Sequence, residues 1–101
     1  MNYATFYIEG LITDPPRVDW VGGKLRITLY INDGSTDYNM AVYAYDPLAS
    51  EMISKNLVPM IGDRVRLLLQ LRVREDYFYA YLQDTRGIQI IETPDTRGKI
   101  R

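Results

Sequence analysis

The sequence contains no cysteine and no histidine among its 101 residues. Without cysteine it has no disulfide framework, no thiolate nucleophile and no cysteine-based zinc site. Without histidine it lacks the most common general base and the most common protein ligand of metal ions. Its aspartates fall mainly at predicted turns and caps, and no glycine-rich phosphate loop or nucleophile–base pair is present. We therefore expect a protein that is not an enzyme, with no catalytic site, metal site or cofactor.

Long hydrophobic runs and an excess of one charge are also missing. No apolar stretch approaches the roughly 20 residues that span a bilayer, and the opening segment MNYATFYIEG lacks the pattern of a signal peptide. Twelve Lys and Arg stand against thirteen Asp and Glu, for a net charge of −1. With 47% hydrophobic residues, the chain is able to bury the core of one domain. We expect a cytoplasmic protein, either nucleoid-associated or viral and located in the host cytoplasm.

Tyrosine is the residue present in excess. The chain has nine tyrosines against two phenylalanines and one tryptophan. Tyrosine has a high strand propensity, and its ring combines a flat apolar face with a polar tip. The excess therefore indicates either an all-β domain or a surface on which flat ligands stack. The strand face that each tyrosine occupies decides between the two.

Alternation of apolar and polar residues predicts a chain made mainly of strands. The predicted strands cover 3–12, 18–21, 24–32, 38–45, 64–74, 77–82 and 88–91. Residues 47–57 have apolar positions close to the helical period, with Asp46 as the expected N-cap and Pro47 at the first helical position. Val73 and Phe78 have the parity of the core-facing positions in their strands.

This order of elements predicts an all-β domain with a five-stranded Greek-key barrel, the OB-fold. The short helix falls between the third and fourth long strands, where the OB-fold has one. An SH3-like barrel is the structural alternative, ranked second because it usually lacks a helix of this length at this point. We expect an OB-fold domain over residues 1–92 and a short polar C-terminal tail over 93–101.

Most tyrosines share the outward faces of the strands with arginines. The residues with outward parity include Tyr7, Tyr30, Tyr43, Tyr45, Tyr77, Tyr79 and Tyr81, together with Arg26, Arg66, Arg72 and Arg74. Aromatic rings interleaved with arginine are typical of single-stranded nucleic-acid binding, where each stacked base is worth about 1–3 kcal/mol. Protein interfaces are enriched in the same two residues. Parity alone leaves both alternatives open, and the net charge of −1 counts against a strongly basic nucleic-acid binder.

Segments of the sequence resemble, in order, the bacterial single-stranded-DNA-binding proteins and the related primosomal PriB proteins. The similar segments are 7–17, the glycine pair 22–23, residues 42–49 and residues 62–74. The resemblance runs from about residue 3 to residue 92. It implies an OB-fold and non-catalytic, largely sequence-independent binding of single-stranded DNA in replication, recombination or repair, with RNA as an open alternative ligand.

The resemblance also implies which residues contact the ligand. Aromatics at positions like Tyr45 stack on bases, and arginines at positions like Arg72 and Arg74 contact the DNA backbone. Together with outward parity and the opening motif, it predicts a nucleic-acid-binding set of Thr5, Tyr7, Arg17, Arg26, Thr28, Tyr30, Tyr43, Tyr45, Arg72, Arg74, Tyr77 and Tyr79. The family is oligomeric, so a homodimer or homotetramer is expected, with subunit contacts predicted at Arg66, Leu68 and Tyr81.

The chain is more compact than most proteins that it resembles. Its hairpins at 32–37 and 74–77 are short, whereas the DNA-binding proteins usually have long ones. It lacks a Gly/Pro-rich linker and an acidic C-terminal tip, so we expect no recruitment of partners through such a tip. The compact form is nearer to PriB or to a phage- or plasmid-encoded relative. The alternative function is that of a protein-interaction subunit whose tyrosine-rich face docks on another protein.

Overall fold

The computed structural model of the chain describes residues 3–94. Its elements are β1 (Tyr3–Ile12), β2 (Arg17–Val21), β3 (Lys24–Asn32), β4 (Met40–Tyr45), α1 (Leu48–Ser54), β5 (Arg64–Arg74), β6 (Tyr77–Leu82), a 3₁₀ turn (Thr85–Gly87) and β7 (Ile88–Glu92). The predicted all-β class with one short helix is confirmed. Residues 95–101 of the predicted tail lie outside the described residues, and the division into domain and tail stays a prediction.

Five strands close into a barrel. They follow the order β1-β3-β4-β6-β5, and β5 pairs with β1 to complete the circle. The pairs are antiparallel except for β4 and β6, which run parallel. The other two strands extend the sheet, β2 along β3 and β7 along the first residues of β5. The strand order is that of the predicted Greek-key barrel.

Gly10 is the point at which β1 passes from one partner strand to the other. The residues from Tyr3 to Leu11 pair with β5, and Leu11 and Ile12 pair with the end of β3. A Cβ atom on Gly10 would collide with the carbonyl group of Asn32, with only 2.8 Å to its carbon. The close approach of the two backbones therefore requires glycine.

The barrel interior holds a single cluster of aliphatic side chains. Ile27, Leu29 and Ile31 of β3 are buried in it, opposite Leu67 and Leu69 of β5. Helix α1 adds three buried residues, Leu48, Ala49 and Met52. Burial of a large aliphatic side chain contributes about 1.5–3 kcal/mol, so this cluster is the main source of fold stability. It also fixes the outward direction of the alternate residues that form the candidate site.

Asp46 connects the start of α1 to β3. Its Oδ1 accepts hydrogen bonds from the Ser50 backbone N at 2.9 Å and from Ser50 Oγ at 2.6 Å, and its Oδ2 accepts one from the Leu25 backbone N at 3.2 Å. The N-cap position itself is Pro47, which has no side-chain cap bond, so the predicted cap is one residue off. The carboxylate still satisfies a first-turn amide. The helix ends at Ser54, earlier than the predicted 57.

The prediction that Val73 and Phe78 face the core is wrong. The two residues lie opposite each other in the β5–β6 hairpin, and they are 49% and 69% exposed. The last pair between β1 and β5 joins Tyr3 to Arg72, so the hairpin continues beyond the barrel from Val73 onward. Their parity is that of the core-facing positions, but at these exposures they are not covered by the elements that the structure describes.

Candidate nucleic-acid interface

Four tyrosines meet on the outer surface of the barrel and form what we call the tyrosine cluster: Tyr43, Tyr45, Tyr79 and Tyr81. Tyr43 and Tyr45 are alternate residues of β4, and Tyr79 and Tyr81 are alternate residues of β6. The neighbouring ring centroids are 6.0–6.3 Å apart, and the rings are tilted by 38–54° to each other. Tilted pairs at this distance are favourable for aromatic rings. All four side chains are half-buried, and burial raises the pKa of the Tyr43 hydroxyl.

The cluster lies at the centre of a cross-strand row that spans six strands. Directly paired residues, from β2 to β1, are Arg17, Thr28, Tyr43, Tyr81, Gln70 and Thr5. Four of these six, Thr5, Arg17, Thr28 and Tyr43, belong to the predicted nucleic-acid-binding set, and the row joins positions from residue 5 to residue 81 of the sequence. The closure of the barrel therefore brings together residues that the sequence separates.

Arginines of β5 border the cluster on one side. The guanidinium carbon of Arg72 lies 5.3 Å from the ring centroid of Tyr81, within range of a cation–π contact. Arg72 Nε donates a hydrogen bond to Gln70 Oε1 at 2.7 Å, which holds the guanidinium in place. Arg72 and Arg74 are exposed, and their cross-strand partners are Tyr79 and Tyr77. Each of these arginines of β5 thus lies beside a tyrosine of β6 in the hairpin.

An open groove of about 570 Å³ extends from the cluster toward α1. Tyr45 and Tyr81 form part of its wall, and Lys24, Arg72 and Arg74 supply positive charge. Its other side carries Glu51, Asp46 and Asp84. Lys24 is missing from the predicted site set, although its outward parity in β3, shared with Arg26, was a signal that could have found it. Three basic and three acidic side chains therefore line the groove, so its lining has no formal net charge.

Arg26 is held by an acidic neighbour. Its Nε and Nη2 donate hydrogen bonds to Asp19 Oδ1 and Oδ2 at 3.0 and 2.8 Å. The same guanidinium lies 5.5 Å from the Tyr43 ring centroid. The hydrogen bond from Arg26 lowers the pKa of the Asp19 carboxyl, and the bond to Asp19 raises the pKa of Arg26. Arg26 is predicted from the sequence to contact nucleic acid, but two of its guanidinium nitrogens donate to Asp19 in this structure.

Comparison with protein-family models and with curated protein sequences found no match. Solved structures do match. The second single-stranded-DNA-binding protein of Mycobacterium smegmatis has a TM-score of 0.62 at 17% identity, over 90% of each chain. The N-terminal domain of PriB from Thermoanaerobacter tencongensis, described as dimeric, has a TM-score of 0.60 at 15% identity, over 88% of this chain and 97% of that one. The small single-stranded-DNA-binding protein of Streptomyces coelicolor has a TM-score of 0.57 at 20% identity, over 89% of this chain and 94% of that one.

The chain has the OB-fold. The resemblance to single-stranded-DNA-binding and PriB proteins is thereby confirmed at the level of the fold, because the structures that match share this barrel over most of their length. Identities of 14–20% in four of the matched pairs leave the residues of the site to be judged on this chain's own geometry.

Thr28 is predicted to contact the nucleic acid, but its side chain is buried. It has outward parity, yet it is only 3% exposed. The longer side chains of Arg17 and Tyr43 lie on either side of it in the cross-strand row. A short side chain between two long ones is covered, so Thr28 is not open to a ligand. Gln70, between Tyr81 and Thr5 in the same row, is also buried.

The other predicted contacts lie around the cluster. Arg17 is largely exposed, with its Nε 3.7 Å from Asp19 Oδ2. Thr5 and Tyr77 are exposed, and Tyr30 is half-buried opposite Ala41. These residues share the outer surface of the barrel, although only the four cluster tyrosines contact one another as rings within residues 4–94.

The three predicted subunit contacts separate into two groups. Tyr81 lies inside the tyrosine cluster, against Tyr43, Tyr45 and Tyr79. Arg66 instead lies on the surface shared by β1 and β5, with its guanidinium carbon 5.8 Å from the ring centroid of Tyr7. Leu68 pairs with Tyr7 across the same strands and is half-buried, with the 3₁₀ turn packed close to it at Gly87. Tyr7 therefore belongs with Arg66 and Leu68, and Tyr81 belongs with the ring cluster.

No helix within residues 3–94 is long and apolar enough to cross a membrane. The same residues contain no group of three or more acidic side chains placed to hold a metal ion.

Proposed function

We propose that this protein binds single-stranded DNA without catalysing a reaction and with little dependence on base sequence. The observation that carries the proposal is the tyrosine cluster with the Arg72 guanidinium 5.3 Å from the Tyr81 ring. Bases stack on aromatic rings regardless of their identity, because every base has a π-face. The matched solved structures are described as single-stranded-DNA-binding proteins, which supports the same ligand class here. Replication, recombination and repair are the processes in which such a protein acts.

The mechanism depends more on stacking than on charge. Lys24, Arg72 and Arg74 line the groove beside the cluster, while the chain as a whole has a net charge of −1. If each of the three cations neutralises one phosphate, the logarithm of affinity should fall with the logarithm of salt concentration with a slope of about −2. We propose that the strand passes from Tyr77 at the hairpin, over the cluster, into the groove near α1.

A second surface supports self-association. Tyr7 is 67% exposed on β1, and Arg66 and Leu68 of β5 lie next to it. Arg66 Nε is 3.5 Å from Glu9 Oε1, so the patch carries a balanced charge around an exposed ring. We propose that copies of the chain associate through this patch, which leaves the tyrosine cluster open. One matched PriB domain is described as dimeric, which favours an assembly of this kind.

The test is a titration with a fluorescently labelled oligodeoxythymidine that covers several OB-fold sites of about 4–16 nucleotides each. Anisotropy is read at low and at high salt, and light scattering gives the mass of the assembly. We expect binding that weakens with salt and a duplex of equal length that competes poorly. If the folded protein binds no oligonucleotide at low salt, the proposal is wrong. A stable complex with another protein through the cluster would then favour the protein-docking alternative.

A further inference from the structure

Asp19 and Arg26 form a closed ion pair at the edge of the tyrosine cluster. They lie directly opposite each other in the antiparallel pair of β2 and β3. Two of the five guanidinium donors go to the two carboxylate oxygens, at 3.0 and 2.8 Å. This two-point geometry is the strongest form of arginine–carboxylate pair. Its formation depends on register, because a shift of β2 by one residue would turn Asp19 to the other face.

The ion pair with Asp19 reduces the positive charge that Arg26 presents to a polyanion. The Asp19 side chain is 28% exposed and that of Arg26 is 23% exposed, whereas the Arg17 side chain beside them is 68% exposed. A phosphate that approaches Arg26 also approaches a carboxylate of its own sign, because the Asp19 oxygens lie 3.0 and 2.8 Å from the guanidinium nitrogens. As long as the pair is closed, Arg26 serves as a cation over the Tyr43 ring, 5.5 Å from its centroid. It does not release a counterion when the nucleic acid binds.

We propose that Asp19 withholds Arg26 from the phosphate backbone and so sets the affinity and salt dependence of the site. The inference rests on the proposed binding of single-stranded DNA. An acidic residue that pairs with an arginine at the edge of a polyanion site lowers the positive charge of that site by one. Asp19 is thus a residue that limits binding, and its loss should strengthen the interaction.

A second carboxylate–arginine–tyrosine arrangement provides a matched control. Glu9 lies opposite Arg66 in the pair of β1 and β5, with 3.5 Å between Oε1 and Nε, and Arg66 lies 5.8 Å from the Tyr7 ring centroid. Glu9→Gln removes the same unit of charge and frees the same kind of side chain. It does so on the patch proposed for self-association and not at the cluster.

The experiment compares Asp19→Asn with the unchanged protein in the oligodeoxythymidine titration over a series of salt concentrations. The asparagine amide still accepts one hydrogen bond from Arg26, so the fold should be kept, and circular dichroism checks this. We expect severalfold tighter binding at low salt and a salt slope that is steeper by about 0.7, the value for one additional phosphate on a single strand. Adding Arg26→Gln to Asp19→Asn should return the slope to its original value.

Four outcomes would overturn the inference. Weaker binding in Asp19→Asn would mean that the ion pair supports the site and does not limit it. An equal rise in Glu9→Gln would show a general effect of net charge. If the unchanged protein and all variants are folded and none binds, the proposed function fails as well. If the unchanged protein binds and Asp19→Asn binds identically, only the role of Asp19 is rejected.

Discussion

Tyr43 and Tyr81 lie directly opposite each other in the parallel pair of β4 and β6, with their ring centroids 6.0 Å apart. The two residues are far apart in the sequence, with α1 and all of β5 between them. Their contact exists because the barrel closes with β4 beside β6. It is the centre of the surface that we propose to bind single-stranded DNA.

Replacing Tyr81 by alanine should weaken oligonucleotide binding by about 1–3 kcal/mol, the range for loss of one stacked base. Tyr81 contacts Tyr43, Tyr45 and Tyr79, so its removal also disorders the stacking surface around it. The matched control is Tyr38→Ala, because Tyr38 is 85% exposed and lies outside the cluster. Anisotropy titrations of both variants measure the difference. Equal losses in the two variants would argue against the cluster as the binding surface.

The double substitution Arg72→Ala and Arg74→Ala should flatten the salt dependence of binding. Both side chains are exposed on β5 and line the groove. Loss of two phosphate contacts should reduce the magnitude of the slope by about 1.4, from about 0.7 for each contact on a single strand. Arg64→Ala is the control, because Arg64 lies at the opposite end of β5 from Arg72 and Arg74. An unaltered slope in the double variant would exclude the two arginines as phosphate contacts.

Substitution of the exposed hairpin residue Phe78 should cost little stability, although its sequence pattern predicts a core position. Phe78→Ala should lower the free energy of unfolding by less than about 1 kcal/mol, because the ring is 69% exposed. Leu82 has the same parity in the same strand but is only 5% exposed, so Leu82→Ala should cost about 2–5 kcal/mol. Urea denaturation of the two variants tests the contrast. A large loss of unfolding free energy in Phe78→Ala would contradict this prediction and would mean that the ring is buried in a core or in a protein interface.

Acid should destabilise the protein in part through Asp46. Hydrogen bonds from Ser50, and then from the Leu25 backbone, lower the pKa of its carboxyl below the ordinary 3.8. A carboxyl with a lowered folded-state pKa adds stability that is fully present above the unfolded value and is lost as pH falls through the folded one. We expect melting temperature to fall below about pH 4, and Asp46→Asn to show a lower melting temperature at neutral pH with a weaker acid dependence. Thermal melts from pH 2 to 7 provide the measurement. Identical pH profiles for the two proteins would contradict this account.

Much of the barrel follows from period-two alternation. Buried Ile27, Leu29 and Ile31 alternate with Arg26, Thr28 and Tyr30, as their sequence predicts. A strand has only two faces, so one apolar face is enough to assign the direction of every side chain on it. The same rule identifies the tyrosines that point away from the core.

Parity fails where the environment of a face changes along a strand. Val73 and Phe78 are on the core side, but β1 ends its pairing at Arg72 and leaves them in solvent. Thr28 is on the outer side, but its neighbours across β2 and β4 cover it. A single strand cannot show where its partners end or how long the side chains beside it are.

The strands, the helix, most of the aliphatic core and the outward direction of the tyrosines can be predicted from the sequence, because they depend on local periodicity. Which outward residues meet depends on how the strands are arranged in the barrel. Closure of the barrel set Tyr43 beside Tyr81, and the register of β2 on β3 set Asp19 against Arg26. These contacts join residues of different strands, and their partners are chosen by strand order and register, which local periodicity does not specify.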